Sequence, residues 1–191
     1  MLRAFIALPL EEAARAAIAG IIKTLNGAGR EQAGRGRIAW VRPENIHLTL
    51  KFLGSIDEAG VRRAKEALDA IGDSAPFSLD LRGIGAFPSP ARPRVIWIGI
   101  GRHEQVQALV DKLEARLHDL HSEDRPFSPH ITIGRVRDPF PLAVLEKRKG
   151  LWNDAVIASS LVDRVTLFRS LLSPQGVVYR PFYTVRLKKE A

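Results

Sequence analysis

Apolar residues recur along the chain in two rhythms, one suited to helices and one to strands, and segments of the two kinds alternate. "RAFIAL" (3–8) is a short strand, and "EEAARAAIAGIIKTL" (11–25) carries an apolar stripe at helical spacing. "NGAGREQAGRGR" (26–37) follows as a Gly/Arg loop, then "IAWVRPENIHLTLKFLG" (38–54) as a strand-pair region. Ser55-Ile56-Asp57 is a helix-start signal, and "EAGVRRAKEALDAI" (58–71) is the helix. "FSLDL" (77–81) alternates Phe77, Leu79 and Leu81 with Ser78 and Asp80, which predicts a half-buried strand. "FPSPARP" (87–93) is a proline-punctuated loop, and "RVIWIGI" (94–100) predicts a fully buried strand. A helix over 104–120, the strand of "FSPHITIGR" (127–135) and a helix around "LAVLEKRKG" (142–150) come next. The chain closes on "VDRVTLFRSLL" and "VVYRPFYTVRL". Between them Ser173-Pro174-Gln175-Gly176 has proline second and glycine fourth, which fits a type I turn and makes the pair a hairpin.

Two of the strands share a pattern. "NIHLTLKFLG" and "FSPHITIGR" each carry His-x-Thr-x, and His47 and His130 lie 83 positions apart. Each motif is preceded by a helix. Two copies of one α+β unit, packed so that equivalent strands face each other, account for this. The 191 residues suffice for one core or two small lobes sharing an interface, and no Gly/Ser/Pro linker separates the halves. The expectation is therefore a bilobal α+β fold: two pseudo-symmetric lobes, each an antiparallel sheet with flanking helices, a cleft between them, and one domain over 1–191.

Composition narrows the chemistry. With no cysteine, disulfides, thiol catalysis and Cys-ligated zinc are excluded, and a reducing, cytoplasmic compartment is compatible. No apolar run reaches transmembrane length, so no membrane partner is expected. Glu11 and Glu12 break the start of any signal-like apolar segment, so Met1 is expected to begin the mature fold. Lys and Arg total 29 against 21 Asp and Glu, a formal charge of +8. Such a surface attracts polyanions, though it also serves solubility alone.

Strand side chains alternate between faces, so His47 and Thr49 share one face and His130 and Thr132 another. Within each pair the separation is roughly 6.5 to 7 Å. If the lobes face each other, two imidazoles and two hydroxyls converge, a set suited to a phosphodiester. One histidine takes a proton from attacking water and the other gives one to the leaving oxygen, each near an unperturbed pKa of about 6.5. The hydroxyls donate to non-bridging oxygens as charge builds. This chemistry needs no metal, and neither motif has metal-ligand spacing. A single such histidine more often makes one hydrogen bond and nothing else. The recurrence of four matching residues at matching offsets points to a site.

These motifs, with "LRAFIALPL", "WVRPENIHLTLKFLG", "GAFPSPARPRVIWIGI" and "SLLSPQGVVYRPF", resemble the RNA 2′,3′-cyclic phosphodiesterases. These enzymes are historically called 2′–5′ RNA ligases and belong to the two-histidine phosphoesterase superfamily. The resemblance covers nearly the whole chain. It implies His47 and His130 as catalytic, Thr49 and Thr132 as phosphate-binding, and Arg135 as the arginine that follows the second motif. It implies opening of a 2′,3′-cyclic phosphate at an RNA end to a 2′-phosphate, without a cofactor. Weak reversible joining of tRNA halves through a 2′–5′ linkage is implied as well. It favours His47 as the acid at O3′ and His130 as the base, a choice the near-symmetric motifs leave open. A monomer acting in the cytoplasm is expected.

Strict alternation sends Phe52 and Arg135 away from the histidine face, so each needs a strand end or bulge, which Gly54 and Gly134 make feasible. Phe52 then either stacks on a terminal base or packs in the core. Arg135 contacts phosphate or base. Tyr179 either reaches the cleft edge or packs within its hairpin. Trp40, Trp97 and Trp152 read as core anchors, and His103, His118 and His121 as surface residues. Arg30, Arg35 and Arg37 form a basic loop, open to RNA capture or plain solvation. Two rival classes are a non-catalytic RNA-end or nucleotide binding module and an energy-coupled ligase. The ligase lacks a P-loop or a nucleotide-activating lysine motif.

Overall fold

In a computed structural model, residues 1–32, 38–121, 126–137, 155–174 and 176–188 are described. They form β1 (Leu2–Pro9), α1 (Glu12–Gln32), β2 (Ile38–Trp40), β3 (His47–Ile56), α2 (Glu58–Ile71) and β4 (Phe77–Phe87). β5 (Val95–Ile100), α3 (Glu104–Leu117), β6 (His130–Val136), β7 (Val156–Val162), β8 (Arg164–Ser173) and β9 (Gly176–Arg186) follow. A single 3-10 turn, Pro43–Asn45, leads into β3.

The strands make two sheets, ordered β3-β1-β8-β9 and β2-β6-β5-β4-β7, with antiparallel pairing throughout. Helices α2 and α3 pack on each other and against the first sheet, while α1 packs on β7 of the second. One His-x-Thr strand falls in each sheet, as expected of the α+β fold. The apolar faces of β3 (Leu48, Leu50, Leu53) and β6 (Ile131, Ile133) are buried in the core. That burial fixes the opposite faces toward the space between the sheets, because a one-residue slip would expose every one of these side chains. Among the described residues no helix is long and apolar enough to cross a membrane.

Local signals explain most boundaries. Asp57 caps α2, accepting from the backbone N–H of Gly60 at 2.8 Å, and Ala64, Ala67, Leu68 and Ile71 form its buried face. The C-terminal pair is a hairpin, with Ser173 opposite Gly176; its turn type depends on Gln175, outside the described residues.

Several elements differ from the sequence reading. Helix α1 runs on to Gln32, so residues 26–32 are helical rather than loop. Helical glycine costs only about 1 kcal/mol and need not end a helix. Strand β4 continues to Phe87 through Gly83, whose φ of +55° accommodates a register shift. Strand β5 is not fully buried: Ile96 and Ile98 are, while Val95, which lines the cleft, Trp97 and Ile100 are part-exposed. Strand β7 was not anticipated, since Ser159 and Ser160 interrupt its apolar pattern. It is an edge strand closed off by Glu11, whose carboxylate accepts from the Leu161 N–H at 2.7 Å while Ser160 Oγ accepts from the Glu11 N–H at 2.9 Å. The helix around 142–150, Trp152, Arg35 and Arg37 lie outside the described residues, and Arg30 is described only as helical backbone.

Candidate active site

Both motif strands break the alternation rule at the same offset. In β3, Thr49 pairs with Ala7 and Lys51 with Ile6, which leaves Leu50 as an extra residue. In β6, Thr132 pairs with Trp97 and Gly134 with Ile96, which leaves Ile133 extra. Each bulge therefore sits three residues after its histidine. A bulge shifts the facing of everything beyond it. Leu50 and Lys51 are both buried, as are Ile133 and Gly134, and the next residues, Phe52 and Arg135, join the histidine face. Phe52 is 43% exposed, which excludes the core-packing alternative.

The glycines are not the bulged residues themselves. Gly54 takes φ +65° at a second irregularity beyond Phe52. Gly134 lies beneath Trp40 and Ile38, where a Cβ would come within 2.9 and 3.0 Å of their side chains. Lys51 is turned inward by the bulge and is buried. Its ammonium donates to both Glu114 oxygens at 2.7 and 2.8 Å and to the His121 carbonyl at 2.9 Å, tying β3 to α3.

The two imidazoles are held alike. His47 Nδ1 lies 2.7 Å from the Asn45 carbonyl, and His130 Nδ1 lies 2.7 Å from the Ser128 carbonyl. A carbonyl only accepts, so each Nδ1 carries the proton, and Nε2 is the exchangeable atom. His47 Nε2 is 3.0 Å from Thr49 Oγ1, which donates to it while the ring is neutral.

Their surroundings differ. His47 sits against Phe5 (centroids 4.8 Å), stacks near Phe168 (6.0 Å) and receives the edge of Tyr179 (5.3 Å). Burial in this aromatic wall disfavours the charged ring and lowers its pKa to about 4, although the Asn45 carbonyl pulls it upward. Among the described residues His130 meets one ring, that of Phe87, edge to face at 5.0 Å.

The two faces enclose a cleft of about 520 Å³. His47, Thr49, Phe52, His130, Thr132 and Arg135 all line it. So do Arg42, Asn45, Arg137 and Tyr179, and among the described residues no Asp or Glu does. An anion bound there meets guanidinium groups and, among the described lining residues, no competing carboxylate. Tyr179 reaches the cleft, resolving that alternative. Trp40 packs on the core as expected while contributing to the wall, and Trp97 packs against Phe87 on the β5 face opposite Thr132. His103, His118 and His121 are exposed and outside the cleft. Among the described residues no group of three His, Asp or Glu side chains is placed to hold a metal.

Asn45 carries no motif of its own in the sequence. Its carbonyl sets the His47 tautomer, its amide donates to the Val177 carbonyl at 2.9 Å, and its Oδ1 accepts from the Tyr179 N–H at 3.4 Å. One residue thus fixes the His47 ring and the β9 wall beside it. The only sequence signal was its place two residues before the motif.

A family model described as LigT like Phosphoesterase matches residues 13–97 and 99–179. A Methanothermobacter thermautotrophicus protein named RNA 2′,3′-cyclic phosphodiesterase is 33% identical over 97% of this chain and 98% of its own. An Archaeoglobus fulgidus protein of the same name is 32% identical over 94% and 97%. A crystal structure from Thermus thermophilus superposes with a TM-score of 0.78 at 30% identity, over 99% of this chain and all of that one. E. coli LigT in its apo form shares the fold, with a TM-score of 0.72 at 22% identity over 98% of both chains.

Proposed function

Because the chain belongs to the LigT-like phosphoesterase family, we propose that it hydrolyses the 2′,3′-cyclic phosphate at an RNA end to a 2′-phosphate. The observation that carries this reading is the paired bulged strands, which present one His/Thr set each to a cleft with no carboxylate among its described lining residues. The name borne by the relatives supports RNA as the substrate. Residues 1–191 act as one domain in this reading.

Thr49, Thr132 and Arg135 hold the non-bridging phosphate oxygens and take up the charge that grows on them. Nε2 of His130 removes a proton from water, which attacks phosphorus opposite O3′. The P–O3′ bond breaks, and O3′ takes the proton from Nε2 of His47, leaving a 2′-phosphate and a free 3′-hydroxyl. The Nδ1–H bonds to Asn45 and Ser128 hold both rings in the tautomer this exchange requires. His47 is neutral in the empty cleft, so its proton arrives with the substrate anion. Its low affinity for that proton makes it a strong acid once charged. Phe52 offers an exposed ring for the terminal base. No step calls on a metal ion. With a 5′-hydroxyl in place of water, the same sequence joins two RNA ends, tRNA halves among them, through a 2′–5′ linkage, and its reverse parts them again.

The test is product analysis on short RNAs ending in 2′,3′-cyclic phosphate, with and without EDTA. A 2′-phosphate product at an unchanged rate is expected. A 3′-phosphate product would overturn the mechanism, as would loss of activity in EDTA that a divalent ion restores. Binding without turnover would make the protein a binding module instead.

A further inference from the structure

Strand β6 continues to present cations to the cleft beyond its motif. The bulge at Ile133 brings Arg135 onto the face of His130 and Thr132, and ordinary alternation then brings Arg137 onto it too. Among the described residues, neither guanidinium has a hydrogen-bond or ion-pair partner, and the cleft lining supplies no carboxylate to either. Arg135 and Arg137 thus extend the His130/Thr132 face outward as positive charge that no carboxylate among the described lining residues offsets.

The spacing of this row decides what ligand it suits. Arg137 lies five positions beyond Thr132, one of them absorbed by the bulge. The two are therefore roughly 13 Å apart along the strand. A phosphate held by the threonines does not also reach Arg137. A nucleoside 2′,3′-cyclic phosphate has only that phosphate, so it leaves Arg137 unused. A ribonucleotide chain carries one more anion per nucleotide and reaches it.

We propose that Arg137 forms a second phosphate subsite, which takes an internucleotide phosphate on the 5′ side of the terminal nucleotide. The preferred substrate is then an RNA chain of two or three nucleotides or more, rather than a mononucleotide. This rests on the phosphodiesterase reading of the cleft, and it adds a residue that governs substrate length.

Two measurements test it. The first compares kcat/KM for mono-, di- and trinucleotides ending in 2′,3′-cyclic phosphate, in the wild type, Arg137→Ala and Arg137→Lys. The longest substrate should gain about tenfold over the mononucleotide. Arg137→Ala should erase that gain, and Arg137→Lys should keep part of it. The second measures binding of a mono- and a trinucleotide ending in 2′-phosphate across a salt series, which needs no turnover. The wild-type trinucleotide slope of log K against log salt should be steeper by about 0.7 per added phosphate contact, and Arg137→Ala should flatten it by that amount. Equal slopes for the two lengths, or an Arg137→Ala loss that is the same for both, would overturn the subsite. Absence of turnover with a length-dependent slope would overturn the phosphodiesterase reading and leave the subsite standing.

Discussion

Filling the cleft with a phosphodiester anion is expected to draw a proton onto His47. In the empty cleft, burial against Phe5, Phe168 and Tyr179 holds its pKa near 4, so at pH 6 only about 1% of the rings are charged. An opposite charge within hydrogen-bonding range raises a pKa by about 1 to 3 units, which takes His47 to roughly 5 to 7. The guanidinium groups of Arg42, Arg135 and Arg137 line the same cleft and oppose the gain, which argues for the middle of that interval. With a bound pKa of about 6, about half a proton is taken up per ligand at pH 6. The measurement is calorimetric titration of His130→Ala with a nucleoside 2′,3′-cyclic phosphate, repeated in buffers of different ionisation enthalpy. That substrate keeps a single fixed charge over the range, and the variant both slows turnover and removes the other motif histidine. The uptake should vanish when His47→Gln is added. If the His130→Ala protein takes up no proton, His47 stays neutral in the complex and cannot be the acid at O3′; the roles of the two histidines would then exchange.

The same depressed pKa links stability to pH. Below about 6.5 the unfolded chain binds a proton at His47 that the folded chain refuses until about pH 4. Stability at this site is therefore whole above 6.5, falls by about 3 kcal/mol as pH drops to 4, and changes no further below. Urea unfolding of the wild type against His47→Gln between pH 4 and 7 should isolate that difference, and parallel curves would contradict it. His47→Ala and His130→Ala should each lower turnover by about 10² to 10⁴-fold. With sulfur in place of O3′, whose thiolate leaves unprotonated, His47→Ala should regain much of its activity and His130→Ala should not. Asn45→Ala should cut kcat by about tenfold with a shifted pH profile, because the freed β9 wall no longer holds Tyr179 against His47. An unchanged profile would limit Asn45 to packing. Gly85→Ala should destabilise by about 3 kcal/mol in thermal or urea unfolding, since its Cβ would lie 2.2 Å from the Trp97 ring.

What could be read from the sequence follows from which forces act locally. Helix α2 was legible to the residue because its cap and its buried stripe are both encoded within Asp57–Ile71. The four motif positions were legible because period-two alternation assigns faces without knowing any neighbour. Strand β7 was not, since its serines are satisfied by Glu11 and Asp80, far away in sequence. Phe52 and Arg135 show the limit from another side. Alternation alone misplaces them, and Leu50 and Ile133, the residues that correct it, are ordinary strand formers whose bulging shows only in pairing with β1 and β5.

The deeper limit concerns the two histidines. Their motifs are interchangeable in sequence, and their Nδ1 bonds are interchangeable in structure, each reaching the carbonyl two residues back. Nothing local tells an acid from a base. The difference enters through partners that neither motif contains: β1 supplies Phe5, β8 Phe168 and β9 Tyr179 around His47, while among the described residues His130 meets one ring, Phe87 at the end of β4. A hydrophobic wall on one side of a symmetric cleft makes one proton costly to hold in the empty site and easy to release once a phosphate has drawn it in. Moving that wall, by Phe168→Ser for instance, should raise the His47 pKa toward its ordinary value. It should also shrink the proton uptake measured near pH 6 without touching either His-x-Thr motif. If the uptake is the same in Phe168→Ser, the ring's environment does not set the division of labour, and the asymmetry must lie in the substrate.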